Sequence, residues 1–122
     1  MPTLNIGTRP IGPGNPVYVI AEAGANHNRD FGMARRLIDV ACEAGADAVK
    51  FQTYSAKNLY SKYTPRFTYL EQQGNTQDTW EIIREAELPR EWQVPLADYA
   101  RSQGITFIST PTDRQGVEEL AA

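Results

Sequence analysis

The chain has 122 residues, enough for one small domain, with 41% apolar and 22% charged residues and a net charge of −3. That composition excludes a disordered or fibrous chain, and the scattered Lys and Arg give no basic stripe for nucleic acid or an anionic membrane. One cysteine, Cys42, excludes an internal disulfide and fits a reducing, cytoplasmic compartment, and the longest apolar run is too short to cross a bilayer.

Residues 1–16 alternate Leu4 and Ile6 with polar neighbours, turn through Gly7-Thr8-Arg9-Pro10 and continue to Ile11, which predicts a β-hairpin acting as an N-terminal cap. Residues 17–22 read as a first strand ending in Glu22. Asp30 is suited to cap a helix over 31–44, with Met33, Leu37, Ile38, Ala41 and Cys42 on one stripe and Gly45 just past its end. A second strand is predicted at 46–52. A polar, aromatic stretch over 54–77 precedes helices near 78–87 and 91–103, and a third strand comes next at 105–110. Thr112 or Asp113 can cap a last helix, within which the sequence stops. The strand–helix alternation predicts an α/β fold: the first three βα units (17–122) of a (β/α)8 TIM barrel, preceded by a hairpin (1–16). A whole barrel needs roughly 250 residues, so the chain reads as truncated after the third strand.

In such folds chemistry gathers at the carboxyl ends of the strands. Alternation along the first strand puts Tyr18, Ile20 and Glu22 on one face. Along the second it separates Ala48, Lys50 and Gln52 from Val49 and Phe51. Apolar Val49 and Phe51 suit a helix layer, which leaves Lys50 and Gln52 beside Glu22. Two readings stand. Glu22 and Lys50 form a structural ion pair, or Lys50 holds a substrate carboxylate or phosphate with Gln52 adding an amide. His27, in the polar loop Asn26-His27-Asn28, fits a hydrogen-bonded loop residue better than a base. Asn75 reads as a turn residue with a substrate contact as the alternative, and Ser109 and Thr110 as strand-end hydroxyls or ligands of the site. Tyr54, Tyr60, Tyr63, Phe67 and Tyr69 either line the loop or anchor it. With one His and one Cys, no His/Cys metal site is complete within these residues.

Ile20-Ala21-Glu22-Ala23-Gly24-Ala25-Asn26-His27-Asn28, the stretch Glu43 to Thr53 and Phe107-Ile108-Ser109-Thr110-Pro111 together resemble the sialic acid (N-acetylneuraminate) synthase family. The resemblance extends through the leading hairpin and the Gly74-Asn75 loop. It implies a barrel enzyme condensing phosphoenolpyruvate with an N-acetylated sugar aldehyde, such as N-acetylmannosamine, and releasing phosphate by C–O cleavage. It implies Glu22 as the strand-one acid organising the site, Lys50 as the phosphoenolpyruvate lysine with Gln52 as its partner, and Asn75 at the sugar site; Thr110 joins the expected substrate contacts as a strand-end hydroxyl. It also implies a divalent metal, Mn²⁺ or Mg²⁺, whose ligands lie outside these residues, and a homodimer in the complete protein. Sister synthases for pseudaminic or legionaminic acid share these features. A non-catalytic barrel fragment that binds a small anion is the reading from a different class.

Overall fold

The computed structural model describes residues 2–122. Strands β1 (Leu4–Ile6) and β2 (Arg9–Ile11) form the expected hairpin, antiparallel with Leu4 opposite Ile11. Three strands, β3 (Ile20–Gly24), β4 (Ala48–Thr53) and β5 (Thr106–Pro111), then make a parallel sheet in chain order with β4 central. Helix α1 (Phe31–Glu43) crosses from β3 to β4, and α5 (Gln93–Ser102) leads into β5. The α/β architecture with a parallel sheet agrees with the sequence reading. A complete barrel is not formed by these residues.

Strand boundaries shift for identifiable reasons. The first strand begins at Ile20 rather than at residue 17, because the Val19 N–H is taken by the Asp47 side chain and not by a strand carbonyl. The Val19 N–H donates to the Asp47 carboxylate at 2.7 Å, and its carbonyl accepts from the Asp47 and Ala48 N–H groups. The strand also runs past Glu22 to Gly24 through a register shift: Glu22 pairs with Lys50 but Gly24 with Phe51, leaving Ala23 as the extra residue of a bulge. The second and third strands start later than residues 46 and 105 because Ala46 and Ile105 still donate to helix carbonyls, those of Ala41 and Ala100.

Asp30 caps α1 as expected, its carboxylate accepting from the Met33 N–H at 2.7 Å, and Gly45 exits the helix at φ 77°. Helix α6 (Arg114–Ala121) is capped by Asp113, not Thr112. The stretch 54–77 contains two short helices that carry no periodic signal in the sequence, α2 (Ala56–Leu59) and α3 (Thr68–Gln72). After α4 (Thr79–Glu85), the helix expected from residue 91 begins instead with a 3-10 turn, Arg90–Trp92. Pro95 falls in the first turn of α5, where its missing N–H costs nothing.

One face of the sheet carries the core. Ala23, Val49 and Phe51 pack against Ala34, Ile38 and Ala41 of α1 and against Leu96 and Ala100 of α5, with Phe107 stacked on Phe51 at 5.7 Å between ring centres. Cys42 is half-buried at this core's margin, its thiol 3.3 Å from the Gln103 carbonyl. The opposite face is open at Ile20, Gln52, Thr106 and Thr110. Along the free side of β5 runs a groove of about 660 Å³ bounded by residues of α5 and α6, including Val94, Arg101 and Leu120.

The hairpin is latched to the amino end of the sheet by Arg9. Its guanidinium pairs with Asp47, donates to the Val17 carbonyl at 3.2 Å and lies 5.3 Å from the centre of the Tyr18 ring. The Val19 N–H, and then Arg9, hold the Asp47 carboxyl below its ordinary value of 3.8. A depressed carboxylate contributes stability above that value and loses it as pH falls through the lower folded one. Asp47→Asn is expected to speed hydrogen exchange at the amides of Leu4–Ile11 near neutrality and to abolish their further loosening in acid. Unchanged exchange in the variant would show that the latch does not hold the hairpin.

Candidate functional site

The cross-strand register assembles the site. Glu22 of β3 lies opposite Lys50 of β4, and Gln52 opposite Thr110 of β5. Alternation then sets Glu22, Lys50, Gln52 and Thr110 on the face away from α1 and α5, at the carboxyl end of the sheet. The Lys50 ammonium is 2.9 Å from Glu22 Oε2, with the two side chains 34% and 48% exposed. The ion pair therefore forms, but in a wet setting where such pairs contribute only about 0–1 kcal/mol. An incoming anion can compete for the two ammonium hydrogens that this contact leaves over.

The helix-facing sides of β4 and β5 are tied by a buried polar link. Thr53 Oγ1 and Ser109 Oγ are 2.6 Å apart, and Gln93 Nε2 donates to Thr53 Oγ1 at 3.2 Å. Ser109 thus faces the helix layer, and only Thr110 of the two strand-end hydroxyl residues shares the face of Lys50.

Glu22 Oε1 turns toward Gly24. The point where a Gly24 Cβ would stand lies 3.4 Å from Glu22 Oε1, 3.4 Å from Asn26 Nδ2 and 3.7 Å from Gln52 Nε2. Gly24 has φ 57°, a left-handed conformation that favours glycine, so the space stays unfilled. Asn26 Nδ2 donates to the Ala23 carbonyl at 3.0 Å. The sequence pattern does not set Asn26 apart from its polar loop neighbours. Its position two residues beyond a strand-end glycine is the available signal.

Asn75 lies after α3, and its Oδ1 accepts from the Gln77 N–H at 2.9 Å, an Asx turn. Among the described residues it makes no hydrogen bond to Glu22, Lys50, Gln52 or Thr110. The surrounding insertion is anchored from inside. The buried Tyr54 hydroxyl donates to the Ile83 carbonyl, Thr79 donates to the Pro65 carbonyl, and Glu87 accepts from the Ala56 N–H. Burial, then the Glu87 charge, pushes Tyr54 up to about 12. Phe67 packs between Tyr60 and Tyr69, while Tyr63 is 81% exposed.

His27 is fully buried, edge-on to Trp92, with Nδ1 accepting the Arg29 N–H at 3.0 Å and Nε2 without a partner among the described residues. It supports a turn in which Asn28 and Arg29 both adopt positive φ, 51° and 49°. Burial, followed by the Arg29 charge, lowers its pKa from 6.5. The ring is thus a neutral structural acceptor.

A divalent metal does not fit these residues. Among those described, no three His, Cys, Asp or Glu side chains come together, and Glu22 Oε2 already faces an ammonium. Two cavities formed by the described residues do not include the cluster. The groove beside β5 lies elsewhere, and a second cavity of about 360 Å³ lies between Arg29, Lys57, Glu87 and Arg90. The site is an open shelf. No helix among the described residues is long and apolar enough to cross a membrane.

An acid, a lysine and two amides thus stand at the carboxyl edge of a parallel sheet, the edge at which α/β folds gather their functional side chains. The NeuB family model matches residues 37–122, and the chain belongs to the NeuB family. It is 39% identical over 120 residues to the spore coat polysaccharide biosynthesis protein SpsE of Bacillus subtilis, covering 98% of this chain and 32% of that protein. It is also 39% identical over 115 residues to the N,N'-diacetyllegionaminic acid synthase of Legionella pneumophila, covering 93% and 32%. The crystal structure of N-acetylneuraminic acid (sialic acid) synthetase from Leptospira borgpetersenii, in complex with citrate, superposes with a TM-score of 0.77 at 31% identity, over 98% of this chain and 38% of that one. The chain thus spans about a third of the length of these relatives.

The His27 environment makes a pH prediction. Because the folded state disfavours the imidazolium, the unfolded chain takes up the proton first as pH falls below 6.5, and stability declines from there downward. Urea denaturation should give a lower midpoint at about pH 5.5 than at about pH 7.5, with the difference shrinking in His27→Gln. Equal pH dependence in the variant would locate the effect in another group.

Proposed function

We propose that this chain is the amino-terminal third of the barrel of a phosphoenolpyruvate-dependent nonulosonic acid synthase. The observation that carries the reading is the half-exposed Lys50 ammonium beside Glu22, on the open face at the carboxyl end of a NeuB-family sheet. In the reaction proposed, the enol carbon of phosphoenolpyruvate bonds to the aldehyde carbon of an N-acetylated amino sugar. Inorganic phosphate leaves by C–O cleavage, and water supplies the replacing oxygen.

Phosphoenolpyruvate carries a carboxylate and a phosphate, and a pre-placed cation offsets that charge without reorganisation. Lys50 is assigned this task. Glu22 holds the ammonium in place at one oxygen and organises the acceptor side with the other. Gln52 and Thr110, paired across β4 and β5, supply an amide and a hydroxyl on the same shelf. Asn75 is assigned to the sugar from its loop, through the Nδ2 that its turn leaves uncommitted. A divalent metal polarising the aldehyde takes its ligands from parts of the protein outside these residues, and dimerisation belongs to the complete protein. The acceptor is N-acetylmannosamine or the modified hexose of a legionaminic or pseudaminic acid synthase. The Legionella relative's name favours including both kinds in any assay.

Phosphate release from phosphoenolpyruvate, measured with a panel of amino-sugar aldehydes and the complete reading frame, tests the assignment. Turnover with at least one sugar is expected, whereas binding of small anions without turnover would favour a non-catalytic module. Residues 1–122 alone are expected to release no phosphate, and robust turnover by them would overturn the partial-site reading. In the complete protein, Lys50→Ala should raise the phosphoenolpyruvate KM by at least about tenfold, the cost of losing a charge-assisted contact. An unchanged KM would remove Lys50 from the donor site.

A further inference from the structure

Glu22 divides the shelf into two chemically different halves. Its Oε2 faces the Lys50 ammonium, and its Oε1 faces the space over Gly24, where Asn26 Nδ2 and Gln52 Nε2 also converge. Near neutral pH phosphoenolpyruvate offers acceptor oxygens and no hydrogen-bond donor. A carboxylate oxygen can only repel it, so the Oε1 half is unsuited to the donor substrate. A polyhydroxylated sugar has O–H groups that a carboxylate accepts, and hydroxyl oxygens that amide N–H groups satisfy.

Asn26 sits on the Oε1 half with a fixed orientation. The bond from its Nδ2 to the Ala23 carbonyl uses one hydrogen, leaving the second Nδ2 hydrogen and Oδ1 without partners among the described residues. The side chain is exposed. Gly24 keeps the adjoining space clear, since any other residue would place a Cβ amid the three polar termini at an unfavourable positive φ. A pinned amide with spare donor and acceptor capacity, next to an open carboxylate oxygen, is a built contact for a hydroxyl or N-acetyl group.

We propose that Asn26 is a binding residue for the acceptor sugar, acting with Glu22 Oε1 over the Gly24 cradle. The inference rests on the synthase reading above. In the complete protein, Asn26→Ala is expected to raise the KM for the sugar about tenfold while the phosphoenolpyruvate KM stays within about twofold. Asn26→Ser separates contact from architecture, because a serine hydroxyl can still bond the carbonyl three residues back but falls short of the shelf. It should show the same sugar-specific loss with an unchanged melting temperature. Rescue by serine, an unchanged sugar KM, or a parallel rise of both KM values with a lowered melting temperature would confine Asn26 to the loop and overturn the proposal. Absence of turnover by the unmodified protein with every sugar would overturn the synthase reading, and this inference with it.

Discussion

The alternation of side chains along β4 is the constraint on which the rest depends. As the central strand, β4 is bonded on both sides, so its residues have no freedom to rotate from one face to the other. Val49 and Phe51 are fully buried under α1 and α5, and that burial obliges Lys50 and Gln52 to emerge on the other face. A slip of one residue would drive an ammonium into the core and expose a phenylalanine. The hydrophobic core thereby determines where the cation stands.

The neighbouring strands add to this frame rather than creating it. Parallel pairing brings Glu22 level with Lys50 and Thr110 level with Gln52, while the Thr53–Ser109–Gln93 link locks the same strand ends from the helix side. Farther out, Arg90 binds Asp113, which caps α6 and accepts from Asn58, so the loops after β4 and β5 are joined to each other. The polar residues at the strand ends thus stand on supports that are themselves tied by hydrogen bonds and an ion pair.

The same physics decides how much is legible in the sequence. Elements with strong periodicity or capping chemistry, such as α1 between Asp30 and Gly45, can be read nearly to the residue. So can the juxtaposition of Glu22, Lys50 and Gln52, because it needs only alternation and parallel order. Features set by long-range bonds cannot. The start of β3 depends on Asp47, α2 and α3 on the packing of the insertion, and the burial of His27 on Trp92, far along the chain. Asn26 is hidden for a similar reason: its neighbours over Gly24 come from the bulge and from another strand.

The bulge at Ala23 uncouples the loop beyond it from the ion pair. Glu22 lies before the register shift and stays paired with Lys50, whereas Gly24 and the loop beyond it lie after it. Insertions, deletions or exchanges in that loop are absorbed downstream of the shift and leave the height of the acid against the lysine unaltered. The loop can therefore change in length or composition without altering the level at which the ion pair stands.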